Sequence, residues 1–129
     1  MKKCFVDTNI FVETFVRKGL KSDRSYKLLN GEAYLCTSSL VISEMEWVMR
    51  AGYGIAKQDI VRCMQKILTA DIEIDNKKLL ITTMNFYEIN NVDWTDCLNM
   101  FSMKNQDVSD VYSYDKGLNK FDWIKRLEP

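Results

Sequence analysis

The chain has 129 residues, 47% of them hydrophobic and 12% aromatic, with five glycines and a single proline. This length and composition predict one compact domain over residues 1–129 with a substantial core, and exclude a disordered or fibrous protein. Lysine plus arginine equals aspartate plus glutamate at 18 each, and histidine is absent. The balance argues against a protein that holds nucleic acid by a uniformly basic surface, while leaving room for a local basic rim. The missing imidazole excludes Ser-His-Asp and Cys-His nucleophiles, histidine acid and base pairs, and His-ligated zinc. Catalysis has to use carboxylates, thiols, lysines or a bound metal.

The first apolar run, Lys3-Cys4-Phe5-Val6, predicts a short strand that stops at Asp7. A helix follows with Ile10, Phe11, Thr14 and Phe15 on one side, ending at Arg17-Lys18-Gly19, where cations and then glycine close it. A second helix is expected from about Ser22 to Asn30, a strand over 33–36, and a long helix from Ser39 to Ala51 before Gly52. Residues 57–69 carry Ile60, Met64, Ile67 and Leu68 at helical spacing. Asp71-Ile72-Glu73-Ile74-Asp75 alternates as a strand does, and helices follow over about 77–88 and 93–103. Val111-Tyr112-Ser113 reads as a fourth strand and Trp123-Ile124-Lys125 as a last edge strand. Strands separated by helices predict an α/β three-layer sandwich: a central parallel sheet of four or five strands flanked by helices. Ligands of such sheets collect at the carboxyl ends of the strands.

Cys4, Cys36, Cys63 and Cys97 are widely spaced and contain no C-x-x-C, so buried reduced thiols are expected rather than a disulfide framework. No apolar stretch approaches the roughly 20 residues that span a bilayer, and the run behind Met1-Lys2-Lys3 is too short for a secretory leader. A cytoplasmic protein is the expectation.

Several carboxylates occupy positions that a solvated surface does not explain. Asp7 lies between the first strand and the first helix, where a helix cap and a functional role serve about equally well. Glu44 has Leu40, Val41, Val48 and Ala51 at helical spacing and is expected to face the sheet, where an unpartnered carboxylate costs several kcal/mol or is protonated. Glu46, with Arg50 four residues on, is expected at the surface. Asp93 suits the cap of the helix it opens, which leaves Asp96 open to another role. Asp115 follows the fourth strand and precedes Lys116-Gly117, so a turn explains it nearly as well as a site does. If Asp7, Glu44, Asp96 and Asp115 met at one sheet edge, each like-charge pair would repel by about 4 kcal/mol at an effective dielectric of about 20. A cation would make such a cluster tolerable, and oxygen-only ligation selects Mg²⁺ or Mn²⁺ over zinc.

Four segments carry a family resemblance: Phe5-Val6-Asp7-Thr8-Asn9-Ile10-Phe11, Ser39-Leu40-Val41-Ile42-Ser43-Glu44, Val92-Asp93-Trp94-Thr95-Asp96-Cys97-Leu98 and Ser113-Tyr114-Asp115-Lys116-Gly117. In order and spacing they resemble the acidic motifs of PIN-domain ribonucleases, and the VapC-like toxins of type II toxin-antitoxin systems most closely. The resemblance implies that Asp7, Glu44, Asp96 and Asp115 form a catalytic metal site for Mg²⁺ or Mn²⁺, with Asp7 and Asp96 as direct ligands and Thr8, Asn9 and Ser113 orienting the acids. It implies endonucleolytic cleavage of RNA by metal-activated water, leaving a 5'-phosphate and a 3'-hydroxyl. It also implies a small antitoxin as partner and a homodimer. Ser113-Tyr114-Asp115 stands where Thr-Phe-Asp is more usual in the family, and Trp94-Thr95 where a smaller pair is common. Arg17, Lys18, Lys21, Lys116 and Lys120 are candidates for lining an RNA groove, though helix-end placement also accounts for Arg17 and Lys18. Trp47, Ile60 and Met64 are expected in the core.

Other readings keep parts of this pattern. A housekeeping RNA-processing nuclease would share the site, and a PIN fold serving only as a binding module would not need all four acids. A haloacid-dehalogenase or response-receiver domain also places an aspartate after the first strand, but the former expects Asp-x-Asp where this chain has Asp7-Thr8-Asn9.

Overall fold

The computed structural model describes all residues from Met1 to Pro129. Its backbone contacts divide into two compact units, Met1–Lys77 and Lys78–Pro129.

The first unit holds β1 (Cys4–Phe5), α1 (Thr8–Phe15), α2 (Leu20–Leu29), β2 (Leu35–Thr37), α3 (Ser39–Trp47), α4 (Lys57–Thr69) and β3 (Ile72–Ile74). The strands form a parallel sheet in the order β1-β2-β3, with Cys4 opposite Leu35 and Leu35 opposite Ile72. Within the sheet Leu35 and Ile72 are buried and Glu73, one position on from Ile72, is exposed, whereas both residues of β1 are exposed. Gly19 joins α1 to α2 with φ +119, a backbone conformation that L side chains rarely adopt. The α3 helix is capped twice: Ser38 Oγ accepts the Val41 N–H at 3.2 Å, and Asp75, just past β3, accepts the Ser39 N–H at 2.7 Å and the Ser39 hydroxyl at 2.9 Å. Satisfying those N–H groups joins the helix start to the end of the sheet. Helix α4 is amphipathic as expected and buries Ile60, Val61, Met64, Ile67 and Leu68.

The second unit holds the rest of α5 (Lys77–Ile89), then α6 (Trp94–Asn105), β4 (Asp110–Tyr112) and β5 (Lys125–Leu127). A 3₁₀ turn over Lys116–Lys120 lies between the two strands, which pair in parallel with Val111 opposite Arg126. The core of this unit is aromatic. Phe86, Phe101, Phe121 and Trp123 pack with ring centroids 4.7 to 5.6 Å apart, and Tyr87 meets Trp94 edge-on at 5.3 Å. The Trp123 indole N–H donates to Met100 O at 3.3 Å and Cys97 Sγ to Thr83 O at 3.6 Å, so polar atoms within this apolar mass find backbone partners.

The fold class is α/β with parallel strands. Five strands form as expected, but the main sheet has three and β4 with β5 make a separate pair, whereas a single sheet of four or five was predicted. Periodicity marks a strand without naming its neighbour, so strand number was legible and grouping was not. The last strand starts at Lys125 rather than Trp123, because Trp123 joins the aromatic cluster. The long helix expected over 39–51 changes hand-hold at Val48, where a π-helical turn carries it to Gly52.

Four burial expectations are corrected. Glu46 is 1% exposed, not at the surface, and Glu44 is exposed, not facing the sheet. The buried stripe of α3 is Val41, Ile42, Met45 and, one turn on, Met49, so the helix is rotated from the face that Leu40 and Val48 suggested. Trp47, expected in the core, is 62% exposed, while Ile60 and Met64 are fully buried. All four cysteines are free, as expected, but only Cys97 is buried; Cys4 is exposed, and Cys36 and Cys63 are half-buried. Cys4 opens β1, a strand with a neighbour on one side alone.

Candidate active site

Val6 follows β1, its N–H donating to Cys36 O at 2.8 Å and its carbonyl accepting the Thr37 hydroxyl at 2.8 Å. The chain is thereby held where Asp7 follows. Asp7 has extended backbone and caps α1, its Oδ1 accepting the Thr8 N–H at 2.8 Å. One carboxylate oxygen serves the cap and the side chain remains exposed. Thr8 is buried, and its hydroxyl donates to Glu44 Oε2 at 2.8 Å. The acid of the first segment and the acid of α3 are therefore joined through Thr8, the residue expected to orient them.

Two residues along α3, Glu46 is held by Arg50, with Nε to Oε2 at 2.7 Å. The Glu46 carboxylate is almost fully buried and Arg50 about half exposed. This is a structural ion pair in the helix that presents Glu44 on another face.

In the second unit Asp93 caps α6, accepting the Asp96 N–H at 3.1 Å, as expected from its position. Asp96 is half-buried on the first turn. Burial, then the charges of Asp93 and Asp115, and a hydrogen bond with Asp115 hold its carboxyl above the usual carboxylate range. Asp96 and Asp115 are thus neighbours. Asp115 caps the 3₁₀ turn, accepting the Gly117 N–H at 2.8 Å, and its own N–H donates to Ser113 Oγ at 3.0 Å. Arg126 on β5 donates from Nη1 to Ser113 O at 2.8 Å and fixes the start of this turn from the neighbouring strand. Nothing in the sequence pairs Arg126 with Ser113, since the contact comes from strand register.

Of the four acids expected in a site, the structure brings Asp96 to Asp115 in one unit and links Glu44 to the residue after Asp7 in the other. In neither unit do three or more Asp, Glu, Cys or His side chains gather as a ready metal cage. No lysine or arginine forms an ion pair with Asp7, Glu44, Asp96 or Asp115. The donors are all carboxylate oxygens, and burial, then the charges of Asp93 and Asp115, raise the pKa of the Asp96 carboxyl. Both features fit a hard divalent cation such as Mg²⁺ or Mn²⁺.

Among the candidate RNA-lining cations, Arg17 is tied to the Tyr53 hydroxyl at 2.6 Å and to Glu13 at 3.0 Å, and Lys120 donates to Asn91 O at 2.6 Å. Lys18, Lys21 and Lys116 are exposed.

Residues 4–124 match the family model of the PIN domain. The match includes all four acids and runs across both units, and the chain belongs to the PIN domain family. This is generally a metal-dependent nuclease fold whose members typically bind divalent metal ions. A comparison with curated proteins finds no match. No helix is long and apolar enough to cross a membrane.

Proposed function

We propose that the chain is one PIN nuclease domain, an endoribonuclease dependent on Mg²⁺ or Mn²⁺, with Asp7, Glu44, Asp96 and Asp115 as its catalytic and metal-holding residues. The observation that carries this is the match of residues 4–124, all four acids included, to a family that is generally a metal-dependent nuclease fold. Asp7 and Asp96 would hold the metal directly, with Glu44 and Asp115 completing the site. When bound, a divalent ion supplies an activated water and charge stabilisation for phosphodiester cleavage. The chain's own contribution is positional. Thr8 orients Glu44, the α1 cap orients Asp7, and the Ser113 hydroxyl with Arg126 sets the turn that carries Asp115.

The toxin of a toxin-antitoxin pair is the role proposed within this class, resting on the order and spacing of the four acidic segments. Its partners would be RNA, a small antitoxin and a second copy of the chain, in the cytoplasm. Exposed Leu40 and Trp47 on α3, 67% and 62% accessible, support a protein partner on that helix.

The test is induced expression in a bacterial host of the wild type beside Asp7→Asn, with sequencing of RNA 5' ends. Growth arrest with discrete new ends in the wild type alone supports the toxin. Metal-dependent cleavage of purified RNA without arrest supports a housekeeping nuclease, and absence of both removes the nuclease reading.

A further inference from the structure

Asp96 and Asp115 stand on different segments, the first turn of α6 and the cap of the 3₁₀ turn, yet share a hydrogen bond. Two acids do not draw two segments together, so their approach is set by other groups. Leu118 and Phe121, 5% and 1% exposed, anchor the 3₁₀ turn in the core of the second unit, and Trp94, 1% exposed, anchors the start of α6. Polar contacts hold both ends of the turn. Arg126 binds Ser113 O ahead of Asp115, and at the far end Lys120 Nζ donates to Asn91 O at 2.6 Å, across 29 positions of sequence. Asn91 lies in the link between α5 and α6, just ahead of the α6 cap Asp93. The Lys120 bond thus joins the same two segments as the Asp96 contact with Asp115.

The partner that Lys120 takes matters. Asp93, Asp96 and Asp115 all belong to the segments it joins, but its ammonium forms an ion pair with none of them. A lysine closing on one of these carboxylates would occupy the oxygens that a cation needs. Closing on a backbone carbonyl makes a charge-assisted hydrogen bond between the segments and leaves those oxygens free. We infer that Lys120 is a positioning residue: its bond to Asn91 O clasps the turn that carries Asp115 to the start of α6 and so sets the approach of Asp115 to Asp96. Lys120 is thereby removed from the cations available to line an RNA groove. Outer groups that fix the residues taking a metal tune its affinity. That consequence for metal rests on the nuclease reading above, whereas the clasp does not.

The test compares the full wild-type chain with Lys120→Met, which keeps the apolar stem and removes the donor, and with Lys120→Arg, which keeps a charged donor. Both change an exposed side chain and should fold as the wild type does, which circular dichroism checks. In EDTA, NMR follows amide exchange at Gly117 and Leu118, whose N–H groups Asp115 accepts through Oδ1 and its carbonyl. Exchange at both should quicken about tenfold in Lys120→Met and stay near wild type in Lys120→Arg. Mn²⁺ affinity, read by EPR from the signal of the free ion, should fall about tenfold in Lys120→Met and recover in Lys120→Arg. The slope of log affinity against log salt for a 12-nucleotide single-stranded RNA should be the same in all three. Unchanged exchange in Lys120→Met overturns the inference, and so does quickened exchange with wild-type Mn²⁺ affinity, which makes the bond merely structural. A salt slope flattened by about 0.7 also overturns it, because Lys120 is then a phosphate contact. Quickened exchange in a chain whose wild type binds no Mn²⁺ keeps the clasp and removes the metal nuclease. Mn²⁺-dependent RNA cleavage with exchange indifferent to Lys120→Met does the reverse.

Discussion

The Thr8 hydroxyl donates to Glu44 Oε2 at 2.8 Å across 36 positions of sequence, and Thr8 is itself the residue whose N–H Asp7 accepts. One side chain thus orders two acids of the proposed site, one through the backbone of α1 and one through its hydroxyl. Replacing Thr8 with valine keeps the shape and removes the donor. Thr8→Val should cost about 1 kcal/mol in urea unfolding and lower RNA cleavage, with Thr8→Ser restoring both. Unchanged activity in Thr8→Val would detach Thr8 from the site.

Asp96 gives the pH dependence. Its folded pKa is raised above the unfolded value, by burial first and then by Asp93 and Asp115. Between the unfolded pKa of about 3.9 and the raised folded one, the native state binds more protons than the unfolded state. Stability therefore falls as pH rises through that window, and the penalty is complete above it. Asp96→Asn should raise the metal-free melting temperature at pH 7 and leave it near wild type at pH 3. An equal shift at both pH values would refute a charge origin.

Metal binding should reverse the same penalty. Mn²⁺ at about 100 times its dissociation constant should add about 2.7 kcal/mol of stability. The gain should shrink in Asp96→Asn and Asp7→Asn, and EDTA should abolish it. Thermal melts across a Mn²⁺ titration check this, and a curve that does not move with metal counts against the site.

Arg50 and Glu46 offer a test remote from the chemistry. With Glu46 buried beneath a half-exposed Arg50, removing the arginine takes away the cation paired with a buried carboxylate. Arg50→Met should cost on the order of 3 kcal/mol in urea unfolding at pH 7. Adding Glu46→Gln should recover part of it, because the neutral amide is less penalised by burial. Additive losses in the double variant would show that the two do not act as a pair.

The caps are legible in the sequence. Asp7, Asp93 and Asp115 each accept an N–H within three positions, which is local chemistry that spacing reveals. Glu44 and Glu46 show where that reasoning stops. Counting along α3 gave both an apolar and a polar side, but Val41, Ile42, Met45 and Met49 rather than Leu40 and Val48 are the buried set. A helix rich in apolar residues has more than one plausible buried face. Its rotation is chosen by the surfaces it packs on, which no window of sequence contains.

Residue order alone settled the alternation of strands and helices, the strand-end positions of Asp7 and Asp115, the exclusion of imidazole chemistry and the four acidic segments. All of these depend on neighbours a few positions apart. Folding in three dimensions set the division of strands between two sheets, the Thr8 link to Glu44, the burial of Glu46 and the Arg126 hold on Ser113. Each of those joins groups whose approach depends on packing and strand register, so the partner is selected by shape and by the cost of leaving buried polar atoms unsatisfied.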